Sequence, residues 1–168
     1  MKQLTDISWS DADVCNLTRD LLRMGKSVRF QARGMSMKPL VRDGDILLIE
    51  PLGQRLPRLG DVVLCQTANG RVLAHRVIKR QGKPGGYTYL IQGDVVADPD
   101  GWITRDQIWG RVSKLERGGN VINLENPFVK ALGKYSAFRS RFGWGSKRLH
   151  TLGAVIARKL PYIGSLIN

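Results

Sequence analysis

Apolar positions along this chain follow two different periods. Between residues 10 and 25, Val14, Leu17, Leu21, Leu22 and Met24 recur at helical spacing, which predicts one amphipathic helix. Ser10 is placed to cap it, Asp11 and Asp13 bring negative charge to its first turn, and Gly25 stops it. From residue 27 the pattern changes to short β-rich runs at Val28–Phe30, Asp45–Ile49, Asp61–Cys65, Arg71–Ile78, Tyr87–Ile91, Ile103–Thr104 and Ile108–Val112. Turn clusters separate them: Arg42-Asp43-Gly44, Ala68-Asn69-Gly70, Gly82-Lys83-Pro84-Gly85-Gly86 and Asp98-Pro99-Asp100-Gly101. Asn69-Gly70 predicts a hairpin with a type I′ turn, which needs positive φ at both central residues. Short strands without helices between them imply a mainly β, antiparallel sheet system and not βαβ units.

Composition sharpens this picture. A chain of 168 residues with 42% apolar content supports one domain with a real core and leaves room for an appended segment. Cys15 and Cys65 form no Cys-x-x-Cys motif, which argues against a disulfide framework or a thiolate zinc site; both are expected as reduced, buried thiols. No run of about 18 apolar residues suggests a membrane span. The opening MKQLTDISWSDADV carries Asp6, Asp11 and Asp13 and lacks the apolar region of a signal peptide. The expected location is cytoplasmic or peripheral to a membrane.

The charge of +13 is unevenly spread. Residues 126–168 hold Lys130, Lys134, Arg139, Arg141, Lys147, Arg148, Arg158 and Lys159 with no acid, which is +8 of that total. The chain therefore divides into an N-terminal amphipathic helix (1–26), a β domain (27–125) and a basic, amphipathic, helical C-terminal segment (126–168). Aromatics such as Tyr135, Phe138, Phe142 and Trp144 interleave with the cations. This suits docking on the protein's own domain, an anionic membrane surface or an acidic partner. No recognition-helix or zinc-finger signature supports nucleic acid.

Three segments of the β region carry reactive side chains. Gly34-Met35-Ser36-Met37-Lys38-Pro39 supplies a hydroxyl, His75-Arg76-Val77-Ile78 an imidazole on a strand, and Gly93-Asp94-Val95-Val96-Ala97-Asp98-Pro99-Asp100 carboxylates at a strand end. Together they form the inventory of nucleophile, base and base-orienting group for acyl transfer, with no cofactor or metal required.

In this order the segments resemble the type I signal peptidases. Gly34-Met35-Ser36-Met37-Lys38-Pro39 looks like their Gly-x-Ser-Met-x-Pro nucleophile box, and also like the serine box of LexA-type self-cleaving repressors, which share the catalytic fold. Asp43-Gly44-Asp45, Gly60-Asp61-Val62-Val63, Ala74-His75-Arg76-Val77, Gly93-Asp94 and Gly110-Arg111-Val112 resemble the boxes that follow, over about residues 28–115. The base is His75, as in the endoplasmic-reticulum and archaeal type, and not Lys. A Lys base must be driven down from a pKa of ~10.4 by burial, whereas a His starts near ~6.5 and needs its tautomer fixed. Counted without gaps, the eukaryotic acidic box places its catalytic carboxylate at Asp100, with Asp94 and Asp98 as alternatives. Val95 and Val96 replace the Asn residues usual in that box.

The resemblance implies a LexA-like catalytic fold and a serine endopeptidase acting on a separate peptide or precursor protein. Ser36 would attack, and its backbone N–H would serve the oxyanion, beside Gly34, Met35 and Met37. It departs from both groups before the serine box. The short polar helix replaces the peptidases' membrane anchor and the repressors' DNA-binding domain. The Ala-Gly and Cys-Gly dipeptides at which the repressors cut themselves do not occur. The alternative is a non-catalytic module that holds a peptide strand on the same fold, with the basic segment for membrane or partner docking. Arg76 is expected to be structural and to point away from the base, His150 to be incidental, and Trp102 and Trp109 to pack in the core or, as the alternative, to wall a substrate pocket.

Overall fold

The computed structural model describes residues 11–141. They form helix α1 (Asp11–Arg23), strands β1 (Val28–Gln31), β2 (Ile46–Pro51), β3 (Val62–Gln66), β4 (Val72–Lys83), β5 (Gly86–Gln92), β6 (Gly101–Thr104), β7 (Ile108–Arg117) and β8 (Asn120–Asn123), and helix α2 (Pro127–Arg141). One antiparallel sheet runs in the order β1-β2-β7-β3-β4-β5-β6, with β8 paired to β7. The described residues are thus mainly β with two α-helices, as the sequence predicts.

Strand β3 explains how the sheet encloses a core on both sides. Val62, Val63, Leu64 and Cys65 are all buried. Val62 and Leu64 join an apolar cluster with Leu47, Ile49 and Leu115, while Val63 and Cys65 join a second with Val77, Tyr89, Ile91 and Ile103. Side chains alternate along a strand, so the unbroken apolar run reads as a strand covered on both faces. The same alternation sorts its neighbour β4. His75 pairs with Val63 and Arg76 with Val62, so these two polar side chains leave β4 on opposite faces.

Helix α1 forms within the predicted span but presents a different face. Thr18 and Leu22 are buried and Cys15 is half-buried, whereas Val14, Leu17 and Met24 are 40%, 47% and 71% exposed. The helix is turned by about one residue, ~100°, from the orientation its aliphatic count suggests. Gly110 on β7 is one reason: a Cβ there would stand 3.2 Å from Leu22 Cδ2 and 2.7 Å from the Glu50 carbonyl, so only glycine admits Leu22 this closely. Arg19 reinforces the contact by lying over the Trp109 ring at 5.9 Å.

Turn chemistry also departs from expectation in one place. The β3–β4 hairpin exists, but among the described residues no non-glycine residue has positive φ, so Asn69 does not adopt a type I′ turn. Instead the Gly70 N–H closes a turn on the Thr67 carbonyl, and the Thr67 hydroxyl and backbone bind Arg71 O and Asn69 Oδ1. The type I′ requirement is met at Gly118 and Gly119, with φ of 53° and 80°, which join β7 to β8 where Arg117 pairs with Asn120.

Helix α2 begins with Pro at its first position, and the Asn126 side chain accepts from the Phe128 N–H at 2.9 Å, an N-cap. It docks over β4 through two glycines. A Cβ on Gly133 would meet Arg76 Nη1 at 2.8 Å and the Gly60 carbonyl at 2.9 Å, and one on Gly60 would meet the Lys134 N at 2.8 Å. The rest of the predicted basic segment, including His150, lies outside the described residues. Among the described residues no helix is long and apolar enough to cross a membrane.

Candidate active site

Ser36 sits in the loop between β1 and β2, which is held at several points. Gly34 turns the chain with φ of 88°, and its N–H donates to Asp43 Oδ1 at 2.7 Å. Farther along, Asp45 is 4% exposed and receives two hydrogen bonds from Arg117, at 2.8 and 2.6 Å. Arg117 Nη2 also donates to the Leu40 carbonyl at 2.8 Å, and Asp45 accepts from the Arg42 N–H at 2.6 Å. A bidentate pair to a planar guanidinium fixes orientation as well as distance, so the loop is clamped to β7.

His75 is 5% exposed on β4. Its Nε2 lies 2.8 Å from Ser36 Oγ, and its Nδ1 lies 2.6 Å from Asp100 Oδ2. A carboxylate can only accept, so Nδ1 carries the hydrogen and Nε2 is left with its lone pair toward the serine hydroxyl. The three side chains sit on separate segments of the chain and meet at hydrogen-bond distance. The structure therefore joins Ser36, His75 and Asp100 in one line of polar contacts.

The loop after β5 carries Asp100 and is tied directly to the serine. Val95 N–H donates to the Ser36 carbonyl at 3.0 Å, and Asp100 N–H to the Ile91 carbonyl at 2.9 Å. A Cβ on Gly93 would stand 2.9 Å from the Ser36 carbonyl and 3.0 Å from Ser36 Cβ, so glycine is required for this approach. Gln92, 3% exposed, donates from Nε2 to the Val96 and Ala97 carbonyls at 2.7 and 3.0 Å. Asp98 is exposed. Asp94 accepts from Arg76 at 2.7 and 2.6 Å, and Arg76 Nη1 donates to the Gly60 carbonyl at 2.7 Å. Of the three acidic alternatives, Asp100 is the one on the imidazole, while Asp94 anchors the start of its loop to the opposite face of β4.

Other expected site residues divide differently. Met35 is 58% exposed beside Ser36, while Met37 is buried in the core and lines the cleft in front of it. The Gly34 N–H is occupied by Asp43 and so is not a donor for an oxyanion; among the described residues none accepts from the Ser36 N–H. Trp109 packs in the core, but Trp102, expected there too, is 40% exposed with Lys79 Nζ over its ring at 5.7 Å. Trp102 lies on β6, the last strand of the sheet among the described residues, where Trp102 and Thr104 are exposed on either side of the buried Ile103. Cys65 is buried, and burial, with the Asp100 charge adding, pushes its thiol up to about 12, which makes it inert as a nucleophile. Cys15, expected to be buried, is half-buried and lines the cleft.

Ser36 and His75 open onto a cleft of about 740 Å³. One wall is Phe30 to Gly34, the other Val72 to Ala74, and α1 contributes Ala12 and Val14 to Asn16. Strand β1 ends the sheet, and Val72 to Ala74 pair with β3 only, because β5 joins β4 from Arg76 onward. Both walls thus carry backbone hydrogen-bonding groups with no ladder partner on one side among the described residues. Among the described residues no three His, Cys, Asp or Glu side chains gather as a metal site.

Sequence reasoning missed two supports of this arrangement. Gln92 precedes the Gly93-Asp94 pair, and its position beside that turn was a usable signal; Arg117 carried none, since its partner lies 72 residues away. No protein-family model matches the chain, and no curated protein matches it in sequence.

Proposed function

We propose that this protein is a serine endopeptidase of the signal-peptidase type, cleaving a separate peptide or precursor protein on a LexA-like catalytic fold. The reading rests on the two hydrogen bonds that run from Ser36 Oγ through His75 to the Asp100 carboxylate. Ser36 Oγ attacks the scissile carbonyl carbon as its proton passes to His75 Nε2. The carbonyl oxygen, now negative, is met by the Ser36 N–H. Collapse breaks the C–N bond, and His75 returns the proton to the leaving amine. Water, deprotonated by the same nitrogen, then attacks the ester carbon; the bond to Ser36 Oγ breaks, the acid product leaves, and His75 returns the proton to Ser36 Oγ. Asp100 holds the imidazole in the reactive tautomer and balances its charge when it is protonated.

Two further observations support a peptide as substrate. The unpaired edges at β1 and at Val72 to Ala74 suit an extended strand bound by main-chain hydrogen bonds. The ordered boxes from Gly34 to Val112, and a His base flanked by its acidic loop, agree with the family resemblance. The test is hydrolysis of a diverse peptide mixture, followed by mass spectrometry of new termini. Cleavage by the native protein is expected to fall at least about 10³-fold in Ser36→Ala with circular dichroism unchanged. Equal cleavage by the variant would end the reading. Peptide retention with no cleavage by either protein would select the non-catalytic, peptide-holding alternative.

A further inference from the structure

We infer that the cleft selects a peptide carrying a carboxylate within three residues of the bond that is cut, and that Arg33 is its recognition residue. The inference rests on the peptidase reading above and adds a substrate class to it. Among the described residues, the side chains lining the cleft include two arginines, Arg29 and Arg33, and no Asp or Glu. Arg29 is taken up by an ion pair with Glu116. Arg33 is exposed, and among the described residues no carboxylate lies within ion-pair distance of it.

Position makes that charge selective. Arg33 stands three residues before Ser36, a backbone reach of at most about 10 Å in extended chain. A peptide strand laid along the wall from Phe30 to Gly34 therefore passes the guanidinium within a few residues of the serine. Phe30, Val41, Leu47, Leu64 and Val72 make much of the cleft lining apolar, so the cleft holds few other groups that would recognise a charged side chain. The planar, always charged guanidinium accepts a carboxylate in bidentate geometry and leaves an amide less well matched. Arg71, exposed beside the lining residues Gly70 and Val72, adds positive potential near the opposite wall.

The experiment uses an equimolar mixture of peptides in which each Asp or Glu sequence has an Asn or Gln twin. Cuts by the native protein are expected to favour the acidic member by about fivefold when the acid lies within three residues of the bond. Arg33→Gln should abolish the preference and Arg33→Glu reverse it. Lys114→Gln, an equal loss of charge outside the cleft lining, should leave it intact. The native preference should also shrink as salt rises. Ser36-dependent cuts without acidic preference, or a preference that survives Arg33→Gln, would overturn the inference and leave the peptidase reading standing. Binding of each twin to the Ser36→Ala protein, read by fluorescence anisotropy, separates recognition from turnover. Equal affinity for the twins there overturns the inference whatever the hydrolysis assay gives, while cuts that ignore Ser36 overturn the peptidase reading alone.

Discussion

Asp100 is the residue whose role depends most on geometry. Three carboxylates lie in the segment from Asp94 to Asp100, and their spacing leaves all three open as the partner of His75. The fold decides among them, because Asp94 is drawn to Arg76 on the far side of β4 while Asp100 reaches Nδ1 at 2.6 Å. Asp100→Asn should keep the side chain's shape but lose the charge and bring an amide N–H donor to a place where only an acceptor stood, so the tautomer is no longer fixed. A fall in kcat of about 10³- to 10⁴-fold is expected, with little change in Tm. Loss of less than tenfold in steady-state hydrolysis would remove Asp100 from the mechanism. Ser36 and His75 were legible in sequence because their chemistry and their flanking motifs are local. Arg117 was not, since an arginine at the end of β7 says nothing about Asp45 until two strands are laid side by side.

Elements were legible where period and turn residues agree. The run from Val62 to Cys65 reads as a doubly covered strand, and the Pro84-Gly85 turn between β4 and β5 sits where those two residues favour it. Helix α1 was placed along the chain but not around its axis, because a glycine on β7 and not the helix's own aliphatic count selects the buried stripe. Strand β8 was passed over: Asn120 to Asn123 is short, with only Val121 and Ile122 apolar, although Gly118-Gly119 before it has the chemistry of a tight hairpin. At the other end of that strand lies the anchor of α2. Burial opposes the charge on Glu125, but a hydrogen bond from Lys130 at 2.5 Å and the Arg111 guanidinium outweigh it and hold the carboxyl below its ordinary value of 4.5. A lowered folded-state value means stability that is present above the ordinary value and is lost as pH falls through the folded one. Because Glu125 is about one-third exposed, the amount is well under about 1 kcal/mol, or about 2 °C in Tm. Glu125→Gln should therefore melt slightly below the native protein at pH 7, and the two curves should converge below pH 4.5. A gap that widens on acidification would contradict the assignment.

At the scale of the whole molecule, the sheet brings two distant loops to His75 near one end of β4 and leaves a cleft between two incompletely paired strands. Everything functional proposed for this protein depends on that convergence acting as a nucleophile, not only as a hydrogen-bonded cluster. The same loops also bear the clamps, Asp45 with Arg117 and Asp94 with Arg76, which keep the reacting atoms in place without touching them. Rate of covalent labelling by a fluorophosphonate, followed by intact mass and peptide mapping, measures this most directly, because it reads the reactivity of the hydroxyl without any assumption about substrate. One adduct per chain, mapped to Ser36, absent in Ser36→Ala and slowed at least about 100-fold in His75→Ala, is the predicted result. Labelling of Ser36 at the same rate with and without His75, or equal labelling of the Ser36→Ala protein, would contradict it.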